Sequence, residues 1–112
     1  MFVVIRAFLV LFIFSVSACS LTLPVRGSLE NSSEIFNGTA TGYLDGAGEL
    51  HLTSSLGRTC AGTFVYITRR QGEGTVECSD GATGPFSFVS TGSRGTGSGT
   101  LRGERFIFTF GS

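Results

Sequence analysis

Three cysteines hold most of the chemistry this sequence can offer: Cys19, Cys60 and Cys78. A thiol can be acylated, can pair as a disulfide, or can ligate a metal as the thiolate. The metal option finds little material, since His51 is the only histidine and no Cys-x-x-Cys spacing occurs. Nucleophilic catalysis is no better supplied: Gly95-Thr96-Gly97-Ser98-Gly99 has the glycines of a nucleophile elbow without a serine at its centre. Gly92–Gly99 is glycine-rich, yet no Lys follows and no helix opens after it, as a phosphate-binding loop requires. The carboxylates are scattered. Asp45 and Asp80 each precede a glycine in a turn pair, and Glu49, Glu73 and Glu77 fall at solvent-facing strand positions. His51, between Leu50 and Leu52, points away from both and reads as a surface residue. The expectation is a non-catalytic chain with no metal and no cofactor.

What each cysteine does depends on its setting. Arg6 gives a short positive region, Ala7–Phe14 is an apolar stretch, and Ser15–Ala18 supplies the small residues a signal peptidase requires. The apolar run Phe2–Phe14 is interrupted by Arg6 and is shorter than the roughly 20 residues that span a bilayer. Met1–Ala18 therefore reads as a secretory signal peptide. Val16-Ser17-Ala18-Cys19 resembles the bacterial lipobox, a small-residue tripeptide followed by cysteine. That resemblance implies diacylglyceryl transfer to the Cys19 thiol, cleavage after Ala18, and acylation of the new amino group. Two or three acyl chains anchor stably where one does not. Ser20, in place of Asp, after the cysteine resembles an outer-membrane address among enteric lipoproteins. The expected location is the bacterial envelope, anchored in the outer membrane and facing periplasm or surface.

Export would leave Cys60 and Cys78 in an oxidising compartment, where two remaining thiols pair; two buried free thiols are the alternative. Closing that loop would stabilise the fold by about 3 kcal/mol through the unfolded state. The contribution matters, because the 94 residues beyond Ala18 can bury only a small core.

The elements that hold these residues are legible from glycine. All 17 glycines lie beyond Ala18, in a Thr- and Ser-rich sequence with no helical apolar stripe. Gly-x-Gly followed one residue later by an apolar residue occurs at Gly46–Leu50, Gly72–Val76 and Gly97–Leu101. The second glycines are 26 and 25 residues apart, so each period reads as one hairpin and its connection. Asp45-Gly46, Leu56-Gly57, Asp80-Gly81, Gly92–Gly95 and Arg102-Gly103-Glu104 mark the turns. Strands are expected near 36–43, 48–54, 59–67, 73–79, 84–91, 96–102 and 105–110, with an eighth near Val25–Glu30 an option. The fold class is all-β: an antiparallel up-and-down meander of seven to eight short strands with one disulfide, a small barrel or a strongly twisted sheet. The chain divides into residues 1–18 as signal peptide, 19–35 as lipidated N-terminus and flexible tether, and 36–112 as the β-domain.

Register offers a check. If Cys60 faces Cys78, then Gly62 faces Val76, Phe64 faces Gly74 and Tyr66 faces Gly72, which puts each of these aromatics over a glycine. A tight Asp45-Gly46 turn would likewise set Tyr43 opposite Gly48. Phe106, Phe108 and Phe110 alternate on one face of the last strand, as core filling or as an exposed ligand ladder. The stretch Gly62-Thr63-Phe64, Gly72–Val76, Asp80-Gly81 and Gly84-Pro85-Phe86 resembles MORN repeats, with a longer period and without their Tyr/Trp positions. Nearly the whole chain resembles small alphaproteobacterial lipoproteins that end in a Gly-rich all-β domain with a Phe-x-Phe tail. That likeness implies no activity.

Charge narrows the partners. Beyond Ala18 seven Arg face eight acidic residues, with no Lys, so no basic excess exists to neutralise nucleic-acid phosphates. In a meander alternate turns share an end, which gathers Asp45, Arg69, Arg70 and Arg94 at one end and Arg58, Asp80, Arg102, Glu104 and Arg105 at the other. With the tether entering at the second end, Arg69, Arg70 and Arg94 would point away from the membrane as a surface for an envelope polymer or protein. The functional expectation is a lipid-anchored structural or binding module. The alternatives are an inhibitor of a lysozyme- or protease-type hydrolase acting through an exposed Thr68–Glu73 loop, and a hydrolase whose site has no recognisable motif.

Overall fold

Alternation of apolar and polar residues with period two runs through nearly the whole chain, and it closes on itself. The computed structural model describes residues 20–111, so the expected signal peptide and the lipidation at Cys19 lie outside the described residues. Eight strands follow in order: β1 (Ser20–Leu29), β2 (Ile35–Tyr43), β3 (Ala47–Ser54), β4 (Thr59–Tyr66), β5 (Gln71–Cys78), β6 (Thr83–Thr91), β7 (Arg94–Leu101) and β8 (Glu104–Phe110). Each pairs antiparallel with the next, and β1 pairs with β8, so the meander is a closed barrel and not an open sheet. An eight-stranded barrel is just wide enough for side chains to fill its interior.

The inward positions are apolar. Val25, Phe36, Leu50, Phe64, Val76, Phe86, Phe88, Phe106 and Phe108 are all buried. Outward positions carry Thr, Ser, Glu and Arg, as in Thr22–Arg26 and Gln71–Glu77 taken alternately. This is the reverse of a bilayer-spanning barrel, whose apolar face points outward.

Phe106, Phe108 and Phe110 stand against β7, whose inward positions Gly99, Gly97 and Gly95 are directly opposite them. A methyl group at Gly97 would meet the Phe108 ring at 2.2 Å, and one at Gly95 would meet Phe110 at 2.1 Å. Three absent side chains on β7 are thus what lets three phenyl rings lie flat inside so narrow a barrel. The rings then meet across the interior edge to face, with Phe88 and Phe110 centroids 5.6 Å apart at 89°.

Cys60 and Cys78 form the expected disulfide, with both cysteines buried and paired across β4 and β5. The register that accompanies them is also as expected: Gly62 faces Val76, Phe64 faces Gly74 and Tyr66 faces Gly72.

Three expectations require correction. The expected tether over 19–35 is, from Ser20 on, not flexible chain, because Ser20–Leu29 is a full strand whose Leu21, Leu23, Val25, Gly27 and Leu29 share the inward face. Tyr43 does not face Gly48; the pairing runs Gly42 to Gly48 through a longer loop. Its Gly46 adopts φ +87° and donates its N–H to the Tyr43 carbonyl, an arrangement that lengthens a two-residue turn. Gly48 is covered instead by the Phe64 ring of β4. The third concerns direction: Ser20 pairs with Tyr43, so the chain enters β1 beside the Asp45-Gly46 turn. Ser20 therefore begins the barrel at the Arg69, Arg70 and Arg94 end, opposite to the expected entry.

Candidate functional site

The two ends of the barrel are built differently, and the difference defines the site. One end is sealed. Glu34 follows β1 and is almost fully buried, and Arg58 precedes β4. The Arg58 Nε and Nη2 donate to Glu34 Oε2 and Oε1 at 2.9 and 2.7 Å, a two-pronged ion pair. Arg58 Nη1 reaches Asp80 Oδ2 at 2.9 Å, and the guanidinium lies 5.6 Å from the centre of the Phe36 ring. Ser54 Oγ accepts the N–H groups of Leu56 and Arg58. Arg102, itself at φ 51° in the β7–β8 turn, donates to the Asp80 carbonyl at 2.8 Å. Beneath this lid lie Leu29, Leu52, Leu101, Phe106 and the disulfide.

The lid's electrostatics follow from its hydrogen bonds. Arg58 holds the Glu34 carboxyl below the usual carboxylate range against the opposing effect of burial, with a smaller contribution from the Ser54 hydroxyl. Asp80 is also held low, chiefly by the Ala82 amide and then by Arg58. Arg58 is pushed up in turn, chiefly by Glu34. Glu34, Arg58, Asp80 and Arg102 are thus engaged with one another.

The opposite end is open. A cavity of about 360 Å³ runs from the mouth into the upper interior. Its walls are Val25, Leu50, Phe64, Phe88, Phe108 and Phe110, and its lip is Leu21, Leu23, Tyr43 and Leu44. The lip arises because β1 outruns β8: the β1–β8 pairing begins at Val25, and among the described residues Ser20–Pro24 pairs in register with β2, joined on its other side by the Gly111 N–H at the Pro24 carbonyl. Pro24 falls in that edge segment, the setting that tolerates a residue without an N–H. Polar side chains along the cavity are few, namely Ser20 and the hydroxyls of Tyr43 and Tyr66 among the described residues. Such a space takes an apolar guest and offers it few orienting contacts.

The terminal aromatic row fills the core, as one of the two expectations had it, and is not an exposed ladder. Phe108 and Phe110 also wall the cavity; Phe106, nearer the sealed end, does not line it.

Other singled-out residues fall elsewhere. His51 is exposed on the outer wall, with Nε2 3.6 Å from Glu49 Oε2. Arg69 and Arg70 stand exposed in the β4–β5 loop and Arg94 begins β7, all at the mouth end. The Thr68–Glu73 segment is only partly a loop, since Gln71, Gly72 and Glu73 belong to β5. What projects is Ile67–Arg70, folded tightly by the Thr68 hydroxyl accepting from the amides of Arg70 and Gln71. Sequence reasoning missed Glu34 and the cavity lip. Glu34 carries no local signal, because its partner lies 24 residues away. The lip had one: Leu21, Leu23 and Val25 alternate in strand period.

No protein-family model matches the chain, and no curated protein does. Among solved structures the chain is similar to a redesigned β-barrel, mFAP1, bound to DFHBI, with a TM-score of 0.64 and 13% identity over 81% of this chain and 92% of that one. It is also similar to a de novo designed fluorescence-activating β-barrel, with a TM-score of 0.61 and 16% identity over 80% of this chain and 88% of that one. At such identities the likeness establishes the barrel fold and nothing further.

Proposed function

We propose that this protein is a lipid-anchored, non-catalytic binding barrel of the bacterial envelope, and that its mouth cavity takes a small apolar or aromatic molecule. The observation that carries the reading is the contrast between an apolar cavity of about 360 Å³ and the ionic lid that seals the far end. A cavity walled by phenylalanine and leucine, with no carboxylate or histidine among its described lining residues, binds by burial and shape, not by chemistry on its guest. One of the similar designed barrels is bound to a small molecule, DFHBI, which supports the view that this architecture suits such a guest. Anchoring rests on the lipobox-like Val16–Cys19. The inhibitor alternative draws less support, because half of its supposed loop is strand β5.

The test is titration of the full chain with N-phenyl-1-naphthylamine, whose emission rises in apolar surroundings. A saturable rise at one equivalent, lost in Ala40→Phe with the thermal unfolding midpoint preserved, is the expected result. Binding that Ala40→Phe leaves unchanged would remove the cavity from the proposal. Incorporation of labelled palmitate into the wild type and not into Cys19→Ser tests the anchor separately.

A further inference from the structure

We infer that the open mouth of the barrel is a membrane-contact surface that rests on an anionic lipid bilayer. Two independent features of the mouth point there. First, exposed apolar side chains gather around its rim: Leu44 is 85% exposed, Ile67 60% and Leu21 59%, with Tyr43 and Tyr66 beside them. Isolated exposed apolar side chains are ordinary, but Leu21, Leu44 and Ile67 gather on one side of a single opening. Second, among the described residues the turns at this end carry Arg69 and Arg70, with Arg94 at the start of β7, while the Asp45 carboxylate is engaged by the Ala47 amide. Glu49 and Glu73 face outward lower on the wall, below the turns. Apolar side chains that reach the acyl boundary, flanked by arginines at phosphate height, are the composition of a peripheral bilayer contact. The two aromatics with hydroxyls suit the same interface.

The sealed end exposes Leu56, 70%, and Ile35, 48%, but frames them with carboxylates. Its turns hold Glu30, Glu34, Asp80 and Glu104 against Arg58, Arg102 and Arg105, and Glu34, Arg58, Asp80 and Arg102 are tied into the lid.

The position of Ser20 adds a geometric argument, which rests on the anchoring reading above. Ser20 pairs with Tyr43 at the mouth, so Cys19 is one residue from the rim. An acyl chain on Cys19 cannot enter a bilayer far from Leu44 and Leu21 when no spacer separates them. A longer tether would free the barrel to face either way; here β1 begins at once.

Because the chain has no tryptophan, single reporters can be read without interference. Leu44→Trp, Ile67→Trp and, at the sealed end, Leu56→Trp would each be placed in the full chain on vesicles of phosphatidylglycerol and phosphatidylcholine. Replacing part of the lipid with its dibrominated form should quench Leu44→Trp and Ile67→Trp by at least about half and leave Leu56→Trp nearly unchanged, since contact depth is only some 5–10 Å. Pairing Arg69→Gln with Arg70→Gln should shift the mouth-down population roughly tenfold toward other orientations. Co-flotation with vesicles but no quenching at residues 44 and 67, or equal quenching at residue 56, would overturn the inference and leave the anchor intact. Failure to co-float would overturn both. Blue-shifted emission from 44 and 67 without bromine quenching would put a second copy or another protein over the mouth, and would also overturn it.

Discussion

The sealed floor and the open mouth of this barrel use the same strands and opposite chemistry. At the floor, polar groups are engaged with one another: Glu34 with Arg58, Arg58 with Asp80, and Asp80 with Arg102. At the mouth, apolar groups are left in water: Leu44, Ile67 and Leu21. Each arrangement costs free energy unless something offsets it. At the floor the offset is internal, since each of these charges has its counter-charge and the Phe36 ring lies under the guanidinium. At the mouth no comparable offset exists among the described residues. The lid's ion pairs are therefore concentrated at one end, while the other opens into the apolar cavity.

The contrast can be broken most severely at the floor. Arg58→Ala would strand a nearly fully buried carboxylate at Glu34 and remove the link to Asp80. Removing one partner of a buried pair costs about 3–5 kcal/mol, a large share of the total stability of a domain this size. Urea unfolding should show the loss as a lower midpoint with an unchanged slope. A loss near zero would mean that the lid is an ornament on a barrel held shut by its rings alone.

Next in size is the disulfide that lies just under the lid. Cys60 and Cys78 are 18 residues apart, and opening the bridge by Cys60→Ala with Cys78→Ala should cost about 3 kcal/mol through the freed unfolded chain. Because the bridge sits at the floor, ligand binding at the mouth should survive while the unfolding midpoint falls. Parallel loss of both would show that the two ends are mechanically one.

Acid gives a finer probe. The Glu34 carboxyl is held below its ordinary value by Arg58, so the folded state binds its proton less readily than the unfolded chain does. The stability it contributes is therefore complete above the unfolded carboxylate range and declines as pH falls through the lower, folded value. Asp80 acts in the same direction. Unfolding midpoints measured from neutral pH down should fall in that acid window for the wild type. In Glu34→Gln the fall should be shallower, from a lower neutral plateau.

How much of this was legible follows the same division. Seven strands and the register of Cys60 against Cys78 were readable because turn glycines and inward apolar residues repeat at short range. Closure was not, since the β1–β8 pairing joins Val25 to Phe110 across nearly the whole domain and leaves no local mark. Strand β1 is harder to read because its first residues adjoin the lipobox-like Val16–Cys19, so that a tether competes with the alternation of Leu21, Leu23 and Val25. Strand β1 decides the polarity of the molecule. Without β1 the chain enters at the floor; with it, at the mouth. The lid is legible in part: a meander gathers Arg58, Asp80 and Arg102 at one end, and Glu34 joins them only once β1 is counted as a strand.

The smallest expected effect on stability is the one that separates the two ends most sharply. Leu44 is 85% exposed in the β2–β3 turn and lines the cavity lip. Leu44→Ser removes almost no packing, so its unfolding free energy should stay within about 0.5 kcal/mol of the wild type. If the mouth is a contact surface, the same change should weaken naphthylamine binding and reduce quenching at Ile67→Trp by brominated lipid. At the floor, a residue's worth is read in unfolding; at the mouth it is read only in what the barrel touches. A Leu44→Ser protein with unaltered binding and unaltered lipid contact would show that the exposed rim has no use, and the asymmetry between the ends would be one of sealing alone.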